Sequence, residues 1–246
     1  MAKDKILISG GTGYVGTPLL KLLKKKYHIK LISRQRNISQ NIKCIKTKNL
    51  LNENKKWWIK NLKGVKYFIF LSWDVSHSKY TSDFQNLKWM TEIIKIAEIV
   101  KNNSKISSFI CIGSGFEYGD GIYKKKLKIE RPSTIYGLSK LTLFLFLQQI
   151  FLNSKIKFIW LRIFHLFGEK NEKKSRLYPY LLKCRNNGKK PVLKNKKAYC
   201  DYLHVNTAAR KIFNLIDSKK SRIVNIKSGK RILVSTFAQH VLKKRI

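Results

Sequence analysis

Lys5-Ile6-Leu7-Ile8-Ser9-Gly10-Gly11-Thr12-Gly13-Tyr14-Val15-Gly16 decides the fold, because it runs a short apolar segment straight into spaced glycines. Apolar residues in an unbroken run closed by glycine predict a strand covered on both faces. Gly10 permits the tight turn, Gly13 lets the backbone approach a pyrophosphate, and Gly16 allows close packing of helix on sheet. The next residues place Leu19, Leu20, Leu22 and Leu23 on a helical face and end in Lys24, Lys25 and Lys26, cations suited to a helix C-terminus. A helix starting at such a turn presents free N–H groups and partial positive charge to a phosphate. Three glycines alone are a weak signal. Strand, turn, helix and a second strand at 28–33, in that order, make a dinucleotide-binding turn in which Thr12, Tyr14 and Val15 also border the ligand.

The same alternation continues outward. Strands are expected at 42–46, 65–71, 108–112 and 157–163, with helices at 57–62, 83–100 and 137–152. Such alternation predicts an α/β fold with a doubly wound parallel sheet, the Rossmann arrangement, over residues 1–166. Beyond it a small, shortened C-terminal lobe for substrate is expected at 167–246, partly interleaved with the first unit. Its elements are a helix at 178–183, a turn at Gly188 and Pro191, a strand at 202–205, a helix at 207–216, a strand at 223–226 and a helix from Ser235.

Composition narrows the function classes. The 246 residues are 43% hydrophobic, enough for one sizeable core with a minor lobe. No apolar stretch approaches ~18 residues, so no transmembrane helix is expected. Lys3, Asp4 and Lys5 lead directly into a strand, unlike a signal peptide. Cys44, Cys111, Cys184 and Cys200 show no C-x-x-C pairing and no metal-ligand spacing, which predicts isolated thiols, no metal and a reducing, cytoplasmic compartment. The balance of 53 Lys+Arg against 13 Asp+Glu, a net +40, raises nucleic-acid binding as an alternative. The cations are spread along the chain, at Lys124 to Lys126, Lys173, Lys174, Lys196, Lys197 and Lys243 to Arg245 among others, and 43 of them are Lys against 10 Arg. Readers of bases and phosphates favour the arginine fork, so the charge is read as solvated surface whose field steers an anionic substrate.

Two clusters carry chemistry. At the end of the second strand, where an acid would hold the ribose of NAD, stand Ser33, Arg34, Gln35 and Arg36. Ser33 and Arg34 suit a 2′-phosphate, which favours NADP over NAD. Further on, Tyr136 and Lys140 lie four apart on one face of a helix start. Tyrosine, with a pKa of ~10, is a poor base at neutral pH, and a neighbouring ammonium is expected to lower that value. Ser114 follows a strand at its carboxyl end, where open α/β sheets bind ligands, and its hydroxyl suits the oxygen that gains or loses a proton.

With Gly10, Gly13 and Gly16, Ser114 ahead of Tyr118-Gly119, and Tyr136 with Lys140, the chain resembles an extended short-chain dehydrogenase/reductase of the NAD-dependent epimerase/dehydratase family. Weaker matches extend it over nearly the whole length. Asn86 is similar to the family's asparagine at the helix after the fourth strand, and Leu161 to Gly168 to its R-x-x-N-V-Y-G segment. Arg176 to Pro179, Cys200 to Val205 and Asn225 to Lys230 match its R-x-x-P, R-D-[FY]-[IL]-[HY]-V and N-[IL]-G-S-G-K motifs.

The resemblance implies Asn49 and Leu50 near the adenine, Leu71 and Asn86 along the cofactor, and Phe164, His165, Arg176 and Asp201 toward a nucleotide-sugar substrate. It implies hydride chemistry at the sugar 4-position, with Tyr136 as acid/base, Lys140 as its partner and Ser114 on the sugar oxygen. Four departures stand out. His165 replaces an Asn, Cys200 replaces an Arg near the substrate diphosphate, Asn49 replaces an Asp, and the chain stops in the helix after Gly229. Dehydratases place Asp-Glu directly after the serine position; Gly115 and Phe116 stand there, with Glu117 one place on, so elimination is disfavoured. A 4-ketoreductase is placed slightly ahead of a 4-epimerase. The apolar stretch after Lys140 suits a homodimer interface. Trp57 and Trp58 read as core, and His28, His77, His204 and His240 as structural or surface groups.

Overall fold

The computed structural model describes residues 3–35, 42–75, 79–103, 105–123 and 130–243; Arg36, His77, Lys124 to Lys126, Lys244 and Arg245 lie outside them. Its strands are β1 (Lys5–Ser9), β2 (His28–Ser33), β3 (Ile42–Lys46), β4 (Tyr67–Phe70), β5 (Ser108–Ser114), β6 (Lys157–Ile163), β7 (His165–Phe167), β8 (Tyr199–His204), β9 (Arg222–Ile226) and β10 (Arg231–Leu233). The helices are α1 (Gly16–Lys26), α2 (Lys55–Leu62), α3 (Gln85–Lys101), α4 (Ile135–Ile150), α5 (Leu177–Asn186), α6 (Val205–Phe213) and α7 (Val234–Lys243). Seven strands pair in the order β3-β2-β1-β4-β5-β6-β9, every pairing parallel. This is the doubly wound sheet expected from the alternation, and its order reverses between β1 and β4, where ligands of such sheets bind.

Alternate residues of each strand face opposite layers. Ile6, Ile8, Leu31, Ile69, Ile110 and Ile159 form one core with α1 and α6. Leu7, Ile32, Phe68, Phe70, Phe109 and Trp160 form the other, with Trp58 of α2 and residues of α3 and α4. Trp57 is half-buried against that second core, so the Trp pair serves packing. In α6 the small Ala208 and Ala209, with Val205 and Ile212, are fully buried and let that helix press on α1.

Residues beyond 167 therefore return to the large sheet through α6 and β9. With β7 they also build a second sheet, β10-β8-β7, in which β8 is parallel to β7 and antiparallel to β10. The sequence reading has neither β7 nor β10. Three residues each is too short for periodicity to show.

Gly16 shows why the opening turn needs its glycines. A Cβ there would stand 2.3 Å from the Gly10 carbonyl oxygen and 2.5 Å from the Gly11 Cα, both backbone atoms that cannot swing aside. Gly16→Ala should therefore lower stability by about 1–3 kcal/mol, the usual cost of overpacking. Urea unfolding measures it, and an unchanged midpoint would show that helix and turn are not packed this closely.

Candidate active site

β5 ends at Gly113 and Ser114 and passes into a tight helical segment, Gly115–Tyr123. That segment folds Glu117 back beneath the strand end. Its carboxylate accepts from the Ser114 N–H at 2.8 Å, from Trp160 Nε1 at 3.1 Å and from Arg162 Nε at 2.6 Å. Glu117 is fully buried and Arg162 nearly so. Burial raises the Glu117 carboxyl above its usual range, and the Arg162 charge opposes that rise. Arg162 also donates through Nη1 to the Tyr118 hydroxyl at 3.0 Å and to Glu130 at 2.6 Å. Gly113 has no side chain for a reason: a Cβ would lie 2.4 Å from both Glu117 Oε1 and Trp160 Nε1.

α4 delivers the other two groups. Thr134 caps it, its Oγ1 accepting from the Gly137 N–H at 3.0 Å. Gly137 lies close enough that an added Cβ would meet the Phe116 carbonyl at 2.5 Å. This contact seats Tyr136 beside Ser114, whose hydroxyl is near enough to act on the phenol. One turn on, Lys140 Nζ donates to the Ile112 carbonyl at 2.8 Å and lies 5.8 Å from the Tyr136 ring centroid. Ser114, Tyr136 and Lys140 are thus brought together, all buried.

Their electrostatics differ from the expectation that Lys140 lowers the phenol. Burial dominates and holds Tyr136 above its ordinary value, with the neighbouring Ser114 hydroxyl acting against it. Burial also pushes the Lys140 ammonium down to about 7. Charged forms are disfavoured wherever water is excluded.

The glycine turn fits a dinucleotide. Gly10 has a φ of +71°, and a Cβ on it would strike the Ser72 N–H at 2.8 Å. α1 has no side-chain cap and no acid in its first turn, so its positive end is open to an anion, while the Thr17 N–H is spent on the Gly13 carbonyl at 2.9 Å. A Cβ on Gly13 would meet only the Gly10 oxygen, at 3.2 Å, and otherwise enter open space. Thr12 is exposed, and Val15 occupies the cap position. Tyr14 reaches the segment after β7 instead: its hydroxyl lies within hydrogen-bond reach of the Gly168 carbonyl at 2.7 Å and of Glu172 at 3.0 Å.

At the end of β2, Ser33 Oγ accepts from the Gln35 N–H at 3.0 Å, and Arg34 is exposed. Asn49 caps the short turn Leu50–Asn52, accepting from the Leu51 N–H at 3.1 Å. Leu71 is anchored by its N–H on the Ser9 carbonyl at 3.1 Å. Asn86, buried, accepts from Trp73 Nε1 and donates to the carbonyls of Tyr80 and Asp83, each at 2.7 Å.

Phe164 is buried, with its ring 6.0 Å from Tyr118. His165 Nε2 lies 4.0 Å from Cys200 Sγ, while its Nδ1 is buried without a hydrogen-bond partner among the described residues. Burial first, then the charge of Arg176, pushes the imidazole down to about 4, so it is neutral at pH 7. Arg176 donates to the Leu166 carbonyl at 2.8 Å and lies 3.5 Å from Glu172. Asp201 accepts from the N–H groups of Ser228 at 2.6 Å and Gly229 at 2.9 Å. Glu172 and Trp73 are absent from the sequence reading of the site, and Glu117 enters it only as an acid one place beyond the dehydratase positions, because the contacts of Glu117 with Trp160 and Arg162 and of Glu172 with Tyr14 span 43, 45 and 158 residues.

The model of the NAD dependent epimerase/dehydratase family matches residues 6–226. The chain belongs to this family. No curated protein matches it in sequence. Among solved structures, it is similar to the UDP-N-acetylglucosamine 4-epimerase of Methanobrevibacter ruminantium M1 in complex with UDP-N-acetylmuramic acid, with 19% identity and a TM-score of 0.81 over 97% of this chain and 81% of that one. It is also similar to the UDP-glucuronic acid 4-epimerase of Bacillus cereus in complex with UDP-glucuronic acid and NAD, with 19% identity and a TM-score of 0.75 over 98% of this chain and 84% of that one. The Bordetella bronchiseptica enzyme WbmF in complex with NAD+ matches with 14% identity and a TM-score of 0.77 over 98% of this chain and 78% of that one. At these identities the likeness establishes the shared fold.

The buried lysine of this family member has a measurable consequence. Burial holds the Lys140 ammonium down to about 7 against an ordinary lysine value of 10.5, so between those values the unfolded chain holds a proton that the folded one lacks. Stability then rises with pH across that window. Removing the group in Lys140→Met should remove this dependence. The wild type should gain on the variant by about 1.4 kcal/mol per pH unit from pH 7 toward 10. Parallel stability curves from denaturant titrations over that range would contradict the assignment.

Proposed function

We propose that this chain reduces the 4-keto group of a nucleotide-linked sugar with a nicotinamide cofactor, NADP ahead of NAD. The observation that supports the proposal is the buried Ser114–Tyr136 pair, whose phenol is protonated at neutral pH and is held by burial still further from ionising. A protonated phenol donates to a carbonyl oxygen as that oxygen becomes an alkoxide, and Ser114 supports the same oxygen by hydrogen bonding. Lys140, one helical turn away, supplies positive charge that favours departure of the phenolic proton. When bound, the nicotinamide supplies the hydride to the sugar carbon.

Gly10, Gly13 and Gly16 with the start of α1 would hold the pyrophosphate, and Thr12, Tyr14 and Val15 would complete the turn. Ser33 and the exposed Arg34 suit a 2′-phosphate, while Asn49 and Leu50 would border the adenine. Leu71 and Asn86 would line the cofactor's path. Phe164, His165 and Arg176 are assigned to the substrate; Asp201, with both oxygens engaged, serves it by holding the turn at 228–229. A net charge of +40 favours capture of an anionic nucleotide diphosphate.

Elimination of water is disfavoured because Gly115 and Phe116 stand at the acid positions and the carboxylate one place on, Glu117, is engaged by Ser114, Trp160 and Arg162. A 4-epimerase using NAD is the second reading, supported by the UDP-sugar epimerases of the same fold and the NAD in one of them. On α4, Leu138, Leu145 and Phe146 are exposed, which supports an isologous dimer through this helix. No observation favours a nucleic-acid binder.

Nicotinamide absorbance, followed with a panel of 4-keto and 4-hydroxy sugar nucleotides, tests the proposal. NADPH should be consumed with a 4-keto substrate, and Tyr136→Phe should lower kcat by roughly 10²–10⁴. Full turnover by that variant would overturn the mechanism. Interconversion of 4-hydroxy epimers without net absorbance change would transfer the assignment to the epimerase.

A further inference from the structure

Lys140 is 2% exposed, and among the described residues its ammonium makes no ion pair. The groups around it are Cys111 and the Ile112 carbonyl of β5, Glu117 of the segment that follows, Tyr136 of its own helix, and the indole of Trp73. Glu117 is bound to Arg162, and Cys111 is buried with its thiol pushed up to about 12, so neither neutralises the ammonium at close range. Of the three N–H donors on a lysine, one reaches the Ile112 carbonyl at 2.8 Å. The ammonium also lies 3.5 Å from the centroid of the Trp73 ring, and tryptophan is the best side-chain face for a cation.

The indole is held in that place. Its Nε1–H donates to Asn86 Oδ1 at 2.7 Å, and Asn86 is itself tied to two backbone carbonyls. Trp89 stacks on Trp73 with centroids 6.0 Å apart, and Tyr136 meets it edge-on at 6.1 Å. One aromatic plane therefore touches both the lysine and the tyrosine of the site.

We propose that Trp73 is a positioning residue for Lys140, its ring face holding the ammonium in place beside Tyr136 and favouring its charged form. This rests on the reading of Lys140 as the partner of Tyr136. Asn86 acts one step further out, by fixing the plane of the indole. A phenylalanine face attracts a cation less than an indole does, and leucine has no such face.

The test has two arms. In the first, the cofactor-free protein is unfolded by denaturant at about pH 6 and pH 10, as wild type, Trp73→Leu and Trp73→Phe, each with and without Lys140→Met. At the lower pH, Trp73→Leu should cost roughly tenfold more in the folding equilibrium constant with Lys140 present than with Lys140→Met, and the excess should vanish at the higher pH. Trp73→Phe should show part of that excess. Equal losses in both backgrounds at both pH values would reduce Trp73 to packing and overturn the proposal. In the second arm, the alkaline limb of the kcat–pH profile should move down by about one pH unit in Trp73→Leu, and by less in Trp73→Phe. An unmoved limb overturns the proposal as well. Failure to turn over any sugar nucleotide would refute the functional reading and leave the denaturation cycle to decide this one.

Discussion

The ion pair between Glu117 and Arg162, 2.6 Å apart and shut away from water, is the constraint on which the rest of the site depends. A buried charge without a partner is costly, so the end of β5, the segment after it and the end of β6 must stay in register to keep the two groups together. The same carboxylate holds the Ser114 N–H, which fixes the direction of the serine side chain. Gly113 is small so that Glu117 and Trp160 can meet where its side chain would be. Glu117 lies one place beyond the acid positions of a dehydratase and has the bonding of a structural group.

Exclusion of water sets the chemistry built on that base. It holds the proton more firmly on Tyr136 and weakens the hold of Lys140 on its own. The two effects pull apart the proton donor and the charge that assists it, and the Trp73 face and the Ile112 carbonyl oppose the second effect. At the other end of the site, His165 is neutral for the same reason, and Arg176 and Asp201 are engaged with the chain's own backbone. Tyr14 links the two ends, joining the glycine turn to Gly168 and Glu172 of the segment after β7.

What the sequence shows and what it hides follow from distance along the chain. The glycine turn, the parallel strands and the Tyr136–Lys140 spacing are legible because each is a local pattern. The closing of Glu117 on Trp160 and Arg162 spans 43 and 45 residues, and that of Tyr14 on Glu172 spans 158, with no local periodicity to reveal either. β7 and β10 escape because three residues carry no pattern. The direction of the Tyr136 shift is misread for a related reason: spacing shows a neighbouring ammonium, whereas burial depends on everything packed around both groups.

The measurement that bears most directly on the central claim follows the fate of a label. Reduction of a 4-keto sugar nucleotide with NADPH carrying deuterium at the transferable position should give a product with deuterium at the sugar C4, read by mass spectrometry and NMR. Product formed without deuterium at C4, or with it at another carbon, would contradict the account.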